Sequence, residues 1–201
     1  MSANHPIRCR CGQFEAWIAH PERAVRGICY CRDCRAYAHF LGPPPGLLDA
    51  LGGTDVAIVS PASVAFERGI EHLACMSLSP RGTLRWFTSC CRTPIGNTPR
   101  NWRLAHLGLV HDCLRHAGPT LDDSFGPVRM KVNRGSAHGD PGGVPLLPFV
   151  AAGARYAATL AWNRVSGGYR RNPLFDANGM PRVAPHVIGK AEREALAARA
   201  S

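Results

Sequence analysis

From Asp55 to Thr88 the chain reads DVAIVSPASVAFERGIEHLACMSLSPRGTLRWFT. Four short runs, Asp55–Val59, Ser63–Phe66, His72–Leu78 and Thr83–Thr88, are rich in the β-branched, aromatic and aliphatic side chains that suit a pleated surface. Ser60-Pro61, Arg68-Gly69 and Ser79-Pro80-Arg81-Gly82 separate them, and Gly53-Thr54 precedes the first, so turn chemistry interrupts the chain at regular intervals. This rhythm predicts a mainly β fold, a sheet or sandwich of short strands.

Towards the N-terminus, Gln13–Ile18 alternates in polarity and reads as a strand that follows a cysteine-containing turn and stops at His20-Pro21. Gly27–Cys31 reads as a second strand that delivers Cys31 into a turn containing Cys34. Ala36–Leu41 reads as a brief helical turn, and Gly42-Pro43-Pro44-Pro45-Gly46 as a loop. Towards the C-terminus, Leu104, Leu107, Val110 and Leu114 have helical spacing, which predicts a helix over Arg103–Arg115 despite Gly108. Beyond Gly118 the character changes: a strand within Pro127–Val132, a loop over Gly135–Pro148, a helix over Phe149–Val165, a loop over Gly167–His186 and an Ala/Glu/Arg helix over Lys190–Ala200. The chain therefore divides into a strand-rich, cysteine-containing domain at 1–118 and a C-terminal α-helical extension at 119–201, packed on the β core.

Length and composition fit this outline. The 201 residues are 45% hydrophobic and 19% charged, enough for one ordinary domain with extensions, while 21 glycines and 17 prolines argue against a helical bundle. The best apolar run, Leu146–Trp162, is broken by Pro148, Arg155 and Tyr156, so no membrane span is expected. The opening MSANHPIRCRCG lacks the apolar centre of a secretory signal, which points to the cytosol. The net charge of +10 comes from 22 arginines and 2 lysines, with no basic block of five. A GC-rich coding sequence produces such a bias, so a solvated basic surface is expected rather than nucleic-acid binding.

A reducing compartment makes closely spaced cysteines metal ligands rather than disulfides. Seven of the nine cysteines form three groups: Cys9 and Cys11; Cys29, Cys31 and Cys34; Cys90 and Cys91. Zinc requires soft, deprotonated ligands converging at about 2.3 Å, and a Cys-x-Cys turn supplies two. Gly12 can take the positive φ that bends the backbone around the ion. The other half of that site falls to Cys90-Cys91; adjacent cysteines rarely share one ion, which poses a choice between the two. Cys29-Tyr30-Cys31-Arg32-Asp33-Cys34 offers three thiols. Its fourth position is either open to water or a substrate thiol, or closed by Cys75, Cys113, His39 or another distant side chain. Arg8, Arg10, Arg32, Arg35 and Arg92 flank the ligands and would offset thiolate charge. Cys75 and Cys113, set among apolar residues, are expected to be buried core thiols. His106 and His111 are a weak pair, and there is no phosphate-cradling glycine loop or nucleophile elbow.

These three groups, in this order, resemble the glutathione-dependent formaldehyde-activating enzyme family, which includes centromere protein V. The family's Cys-x-Cys-Gly is matched by Cys9-Arg10-Cys11-Gly12, and its Cys-x-Cys-x-x-Cys-Arg by Cys29 through Arg35. Its late Phe-Cys-x-x-Cys-Gly-Thr is matched by Phe87-Thr88-Ser89-Cys90-Cys91-Arg92-Thr93, where Thr88 stands for the first cysteine and Arg92 for the glycine. The resemblance covers roughly residues 8 to 116. It implies a β-tent fold, a small zinc-bound sandwich, with one to two zinc ions. One ion would be structural, at Cys9, Cys11 and Cys91 with Cys90 as a possible replacement; the other would sit at Cys29, Cys31 and Cys34. It further implies a carbon–sulfur lyase activity like S-hydroxymethylglutathione synthase, with a small thiol such as glutathione and formaldehyde or a related carbonyl as substrates. The centromeric relative implies the alternative of a noncatalytic zinc-stapled module that binds nucleic acid or protein.

Overall fold

The computed structural model describes residues 4–42 and 46–200; three of the loop prolines, at 43, 44 and 45, lie outside the described residues. In chain order the strands are β1 His5–Arg8, β2 Glu15–Ile18, β3 Val25–Cys29, β4 Thr54–Val59, β5 Val64–Arg68, β6 Leu73–Ser77, β7 Leu84–Thr88, β8 Pro94–Thr98, β9 Leu107–Val110, β10 Met130–Val132 and β11 His186–Val187. The α-helices are α1 Arg32–Leu41, α2 Leu121–Phe125, α3 Leu146–Val165 and α4 Lys190–Arg199. The molecule is mainly β with a helical C-terminal part, as the turn-punctuated sequence predicts.

Two sheets share one core. The smaller has the order β1-β2-β5, the larger β10-β3-β4-β9-β8-β7-β6-β11. Neighbours are antiparallel except at the two ends of the larger sheet, where β10 lies parallel to β3 and β11 parallel to β6. The main apolar cluster joins Ile7, Ala16 and Ile18 of the small sheet to Val59, Trp86 and Leu109 of the large one. Side chains alternate along β6 and β7: Cys75 and Trp86 enter this core, while Met76 points to a second cluster beneath α1 and α4. Tyr37 of α1 donates to the carbonyl of Trp86 at 2.7 Å, tying that helix to β7.

Three local expectations change. Ala36–Leu41 is the second half of a ten-residue helix, because Cys31 caps its start and Gly42, at φ 70°, ends it. The helix expected over Arg103–Arg115 is instead β9 followed by a 3-10 turn at His111–Leu114. All four residues of β9 are buried between β4 and β8, and a strand buried on both faces shows no alternation to distinguish it from a helix. The strand β8, PIGNT, is masked by turn-forming residues; Gly96 is needed because a Cβ there would stand 2.6 Å from the Gly108 carbonyl oxygen.

The C-terminal part is woven into the sheet. It contributes β10 and β11, which pair the two outer strands of the larger sheet, and places Phe125, Leu174 and Phe175 in the main core. Arg35, a buried residue of α1, donates to the carbonyls of Tyr30, Ser136 and Ala200, joining the cysteine-rich loop to two segments of that part. Cys75 and Cys113 are buried, as expected of core thiols.

Candidate metal centres

The first centre forms where two turns meet. After β1, Cys9-Arg10-Cys11-Gly12 closes with the Gly12 N–H on the Cys9 carbonyl at 3.0 Å, and Gly12 takes φ 74°. The second turn joins β7 to β8, with Arg92 N–H on Thr88 O at 2.8 Å and Thr88 N–H on Thr93 O at 3.0 Å. Arg92 has φ 55°, a left-handed conformation more usual for glycine. Its guanidinium donates to the carbonyls of Phe40 and Leu41 at the end of α1, which helps hold it there. The Arg10 N–H donates to Thr93 Oγ1 at 3.0 Å and pins the two turns together.

Four sulfurs converge at this junction. Cys9 and Cys11 are 3.5 Å apart, Cys9 and Cys90 3.9 Å, Cys11 and Cys90 3.3 Å, and Cys90 and Cys91 3.9 Å. All four Sγ atoms lie within 4.8 Å of one another. Zinc–sulfur bonds of about 2.3 Å place the corners of a tetrahedron about 3.8 Å apart, so this group fits a tetrathiolate ion. The adjacent cysteines, posed as a choice by the sequence, both join the group. Burial raises the Cys91 thiol, but hydrogen bonds from Thr88, Thr93 and Cys11 outweigh it and bring it down to about 5. Cys90 is pushed up to about 12, first by burial and then by its neighbours Cys11 and Cys91.

The second centre is built on a strand end and a helix start. Cys29 closes β3, Cys31 is the N-cap of α1, and Cys34 lies in its first turn. Their Sγ atoms also lie within 4.8 Å of one another. The Cys34 N–H donates to Cys31 Sγ at 3.4 Å, and Asn133, just past β10, donates to Cys29 Sγ at 3.4 Å. Without an ion, hydrogen bonds from Cys31 and Cys34 hold Cys29 as a thiolate, down to about 2, and both donors are pushed up in turn. Among the described residues no fourth cysteine, histidine or carboxylate joins them. Cys113 donates to the carbonyls of Ile95 and Val110, and Cys75 lies in the core.

The arginines next to the cysteines in sequence point elsewhere. Arg8 pairs with Glu15, Arg10 with the fully buried Asp112, and Arg35 and Arg92 bind carbonyls. The guanidinium that reaches a ligand sulfur is that of Arg85, on β7, with Nη1 4.0 Å from Cys34 Sγ. Arg85 is 4% exposed and stacks over the Tyr37 ring at 5.5 Å. Its carboxylate partner, Asp33, is 3.4 Å away with a side chain 68% exposed, and Arg85 Nε has no partner. Neither Arg85 nor Asn133 carries a sequence signal, because one comes from β7 and the other from the C-terminal part. His106 and His111 join neither centre: His106 Nδ1 shares a hydrogen bond of 3.0 Å with the Tyr156 hydroxyl, and His111 meets the carbonyls of Asp55 and Gly46.

Comparison with known proteins places this arrangement in a family. A family model described as "Family of unknown function (DUF6151)" matches residues 1–145, a span that contains both cysteine centres, Arg85 and Asn133. No curated protein matches the chain. A crystal structure of a Rhodobacter sphaeroides protein from the Northeast Structural Genomics effort is similar at 19% identity and a TM-score of 0.42, covering 65% of this chain and 100% of that one.

Proposed function

The chain belongs to the family of unknown function DUF6151, and from that premise we propose that it is a zinc protein with two unlike centres. The centre at Cys9, Cys11, Cys90 and Cys91 is structural. The centre at Cys29, Cys31 and Cys34 takes a small thiol such as glutathione as fourth ligand and acts on a carbon–sulfur bond. The observation that carries this reading is three converging thiols, with no fourth protein ligand among the described residues, beside a buried guanidinium. A buried cation with an exposed carboxylate as its ion-pair partner requires negative charge nearby. Three thiolates on a divalent ion carry a net charge of −1, which Arg85 offsets.

The chain's own groups prepare the centre. The N-terminus of α1 favours a thiolate at Cys31, the Asn133 amide supports one at Cys29, and Arg85 supports one at Cys34. Zinc bound there would supply Lewis acidity that lets an incoming thiol ionise near neutral pH. In the addition the thiol sulfur bonds to the carbonyl carbon as the carbon–oxygen π bond opens, and the thiol proton ends on that oxygen. The lyase direction is the reverse. The resemblance of the three cysteine motifs to the glutathione-dependent formaldehyde-activating family supports this substrate pair.

Cobalt replaces zinc in thiolate sites and reports its ligands by visible absorption. Glutathione titrated into the cobalt-loaded protein is expected to change the bands, and the zinc form is expected to speed consumption of formaldehyde with glutathione. An unchanged spectrum and no acceleration would overturn the thiol reading. The noncatalytic zinc-stapled module would then stand, to be tested by DNA affinity, which falls steeply with salt if arginines contact phosphates.

A further inference from the structure

Both cysteine centres lie at one end of the strands that carry them. Cys9 follows Arg8, which pairs with Glu15 at the start of β2, and Cys29 pairs with Thr54 at the start of β4. At the opposite ends, Ala19 follows β2 and Val59 closes β4, about 17 Å along six extended residues. There, between the strand ends and α3, lies a cleft of about 500 Å³, within the size range of small-molecule sites.

The lining of this cleft specifies a chemistry. Ala19, Ala24, Val59, Ala62 and Ala158 give it an apolar surface with little side-chain bulk. Arg23, Arg155 and Arg171 also line it, and no carboxylate does. Glu22, outside the lining, meets His20 at 3.3 Å and Arg23 at 3.9 Å. The serine, threonine and asparagine donors of the lining are already used within the protein. Ser60 donates to Asn163 Oδ1, Asn163 to the Thr159 carbonyl, and Thr159 to the Arg155 carbonyl. Ser63 and Ser166 donate to the carbonyls of Ser60 and Trp162. Arg155 spends one N–H on the Glu22 carbonyl, whereas the Arg171 guanidinium makes no hydrogen bond or ion pair with the described residues. What remains for a ligand is guanidinium, which selects oxyanions and matches phosphate best. Trp162 lines the same cleft while 71% exposed, leaving an indole face for a planar group.

We propose that this cleft binds a small organic phosphate with a planar apolar body, the chemistry of a mononucleotide, at a site separate from both cysteine centres. The test is calorimetric titration of the metal-loaded full chain with adenosine 5′-monophosphate, inorganic phosphate and adenosine in parallel. The monophosphate is expected to bind at least about tenfold more tightly than either part alone, since it unites the charge contact with the stacking contact. Arg171→Gln should weaken the monophosphate and inorganic phosphate alike. Trp162→Ala should lower the monophosphate to about the level of inorganic phosphate. Both side chains are exposed, so the melting temperature should be unchanged. The proposal is overturned if the monophosphate binds no more tightly than inorganic phosphate, or if Arg171→Gln leaves its affinity intact. Glutathione binding at Cys29, Cys31 and Cys34 is a separate measurement, and neither result decides the other.

Discussion

The two cysteine centres differ in what holds their sulfurs. The first draws its ligands from two turns 81 positions apart in the chain, with its sulfurs spaced as in a closed tetrahedron. The second draws all three from six consecutive residues, and distant parts of the fold supply only its surroundings, Arg85 and Asn133. A centre that joins distant segments adds to folding free energy, whereas one presented by a local loop can be emptied without opening the core. Helix α1 runs between them, from its Cys31 cap to the carbonyls that hold Arg92 beside Cys91, a span of about 15 Å.

The sharpest way to break this comparison is to remove a ligand from each centre. Cys9→Ser should cost one metal equivalent and unfold the junction of the two sheets. The expected loss of about 5 kcal/mol or more, at roughly 2–4 °C per kcal/mol, would lower the melting temperature by more than about 10 °C. Metal analysis and a circular dichroism melt read both quantities. A smaller drop than that of Cys31→Ser would reverse the roles assigned to the centres.

Arg85→Met tests whether the second centre depends on buried charge. Metal affinity there should fall about 10- to 100-fold, as when a supporting partner of a metal ligand is lost. The loss of buried charge balance should cost about 3 kcal/mol, and the first centre should stay full. A chelator competition that resolves the two ions is the measurement. Equal weakening of both would show that Arg85 acts through the core instead.

Acid would strip both centres by protonating thiolates, so the fold's own acid response must be separated from metal loss. Burial lowers His106 to about 4, and Tyr156 of α3 holds its ring. The neutral form is the folded one. Stability from His106 is therefore complete above the unfolded value of about 6.5 and falls as the pH drops towards 4, by up to about 3 kcal/mol. His106→Gln should flatten denaturant midpoints over this window without altering metal release followed by a chelating dye.

Of the substitutions that compare the two centres, Cys31→Ser should change stability least. Serine caps a helix well, so α1 should persist and stability should fall by less than about 2 kcal/mol while one metal equivalent is lost. Cys113→Ser, in the core and outside both centres, should retain both ions.

Much of the candidate chemistry was legible in the chain. Cys-x-Cys-Gly and Cys-x-Cys-x-x-Cys declare their groups by spacing, and Asp55–Thr88 declares its strands by alternation and turn residues, because both signals are local. The strands β8 and β9 were not legible: one is written in turn residues and the other is buried on both faces. The division near residue 118 describes composition, yet the segment beyond it supplies β10, β11 and the Asn133 contact to Cys29.

What the sequence alone determined is the grouping of the cysteines into motifs that could hold a metal ion and the mainly β class, all properties of neighbouring residues. Only the tertiary structure decided that Cys90 and Cys91 both, rather than one of them, join Cys9 and Cys11, and that Arg85, rather than the arginines beside the cysteines, meets a sulfur of the second centre. Metal charge acts through space over a few ångströms, and strand pairing brings residues dozens of positions apart to that distance.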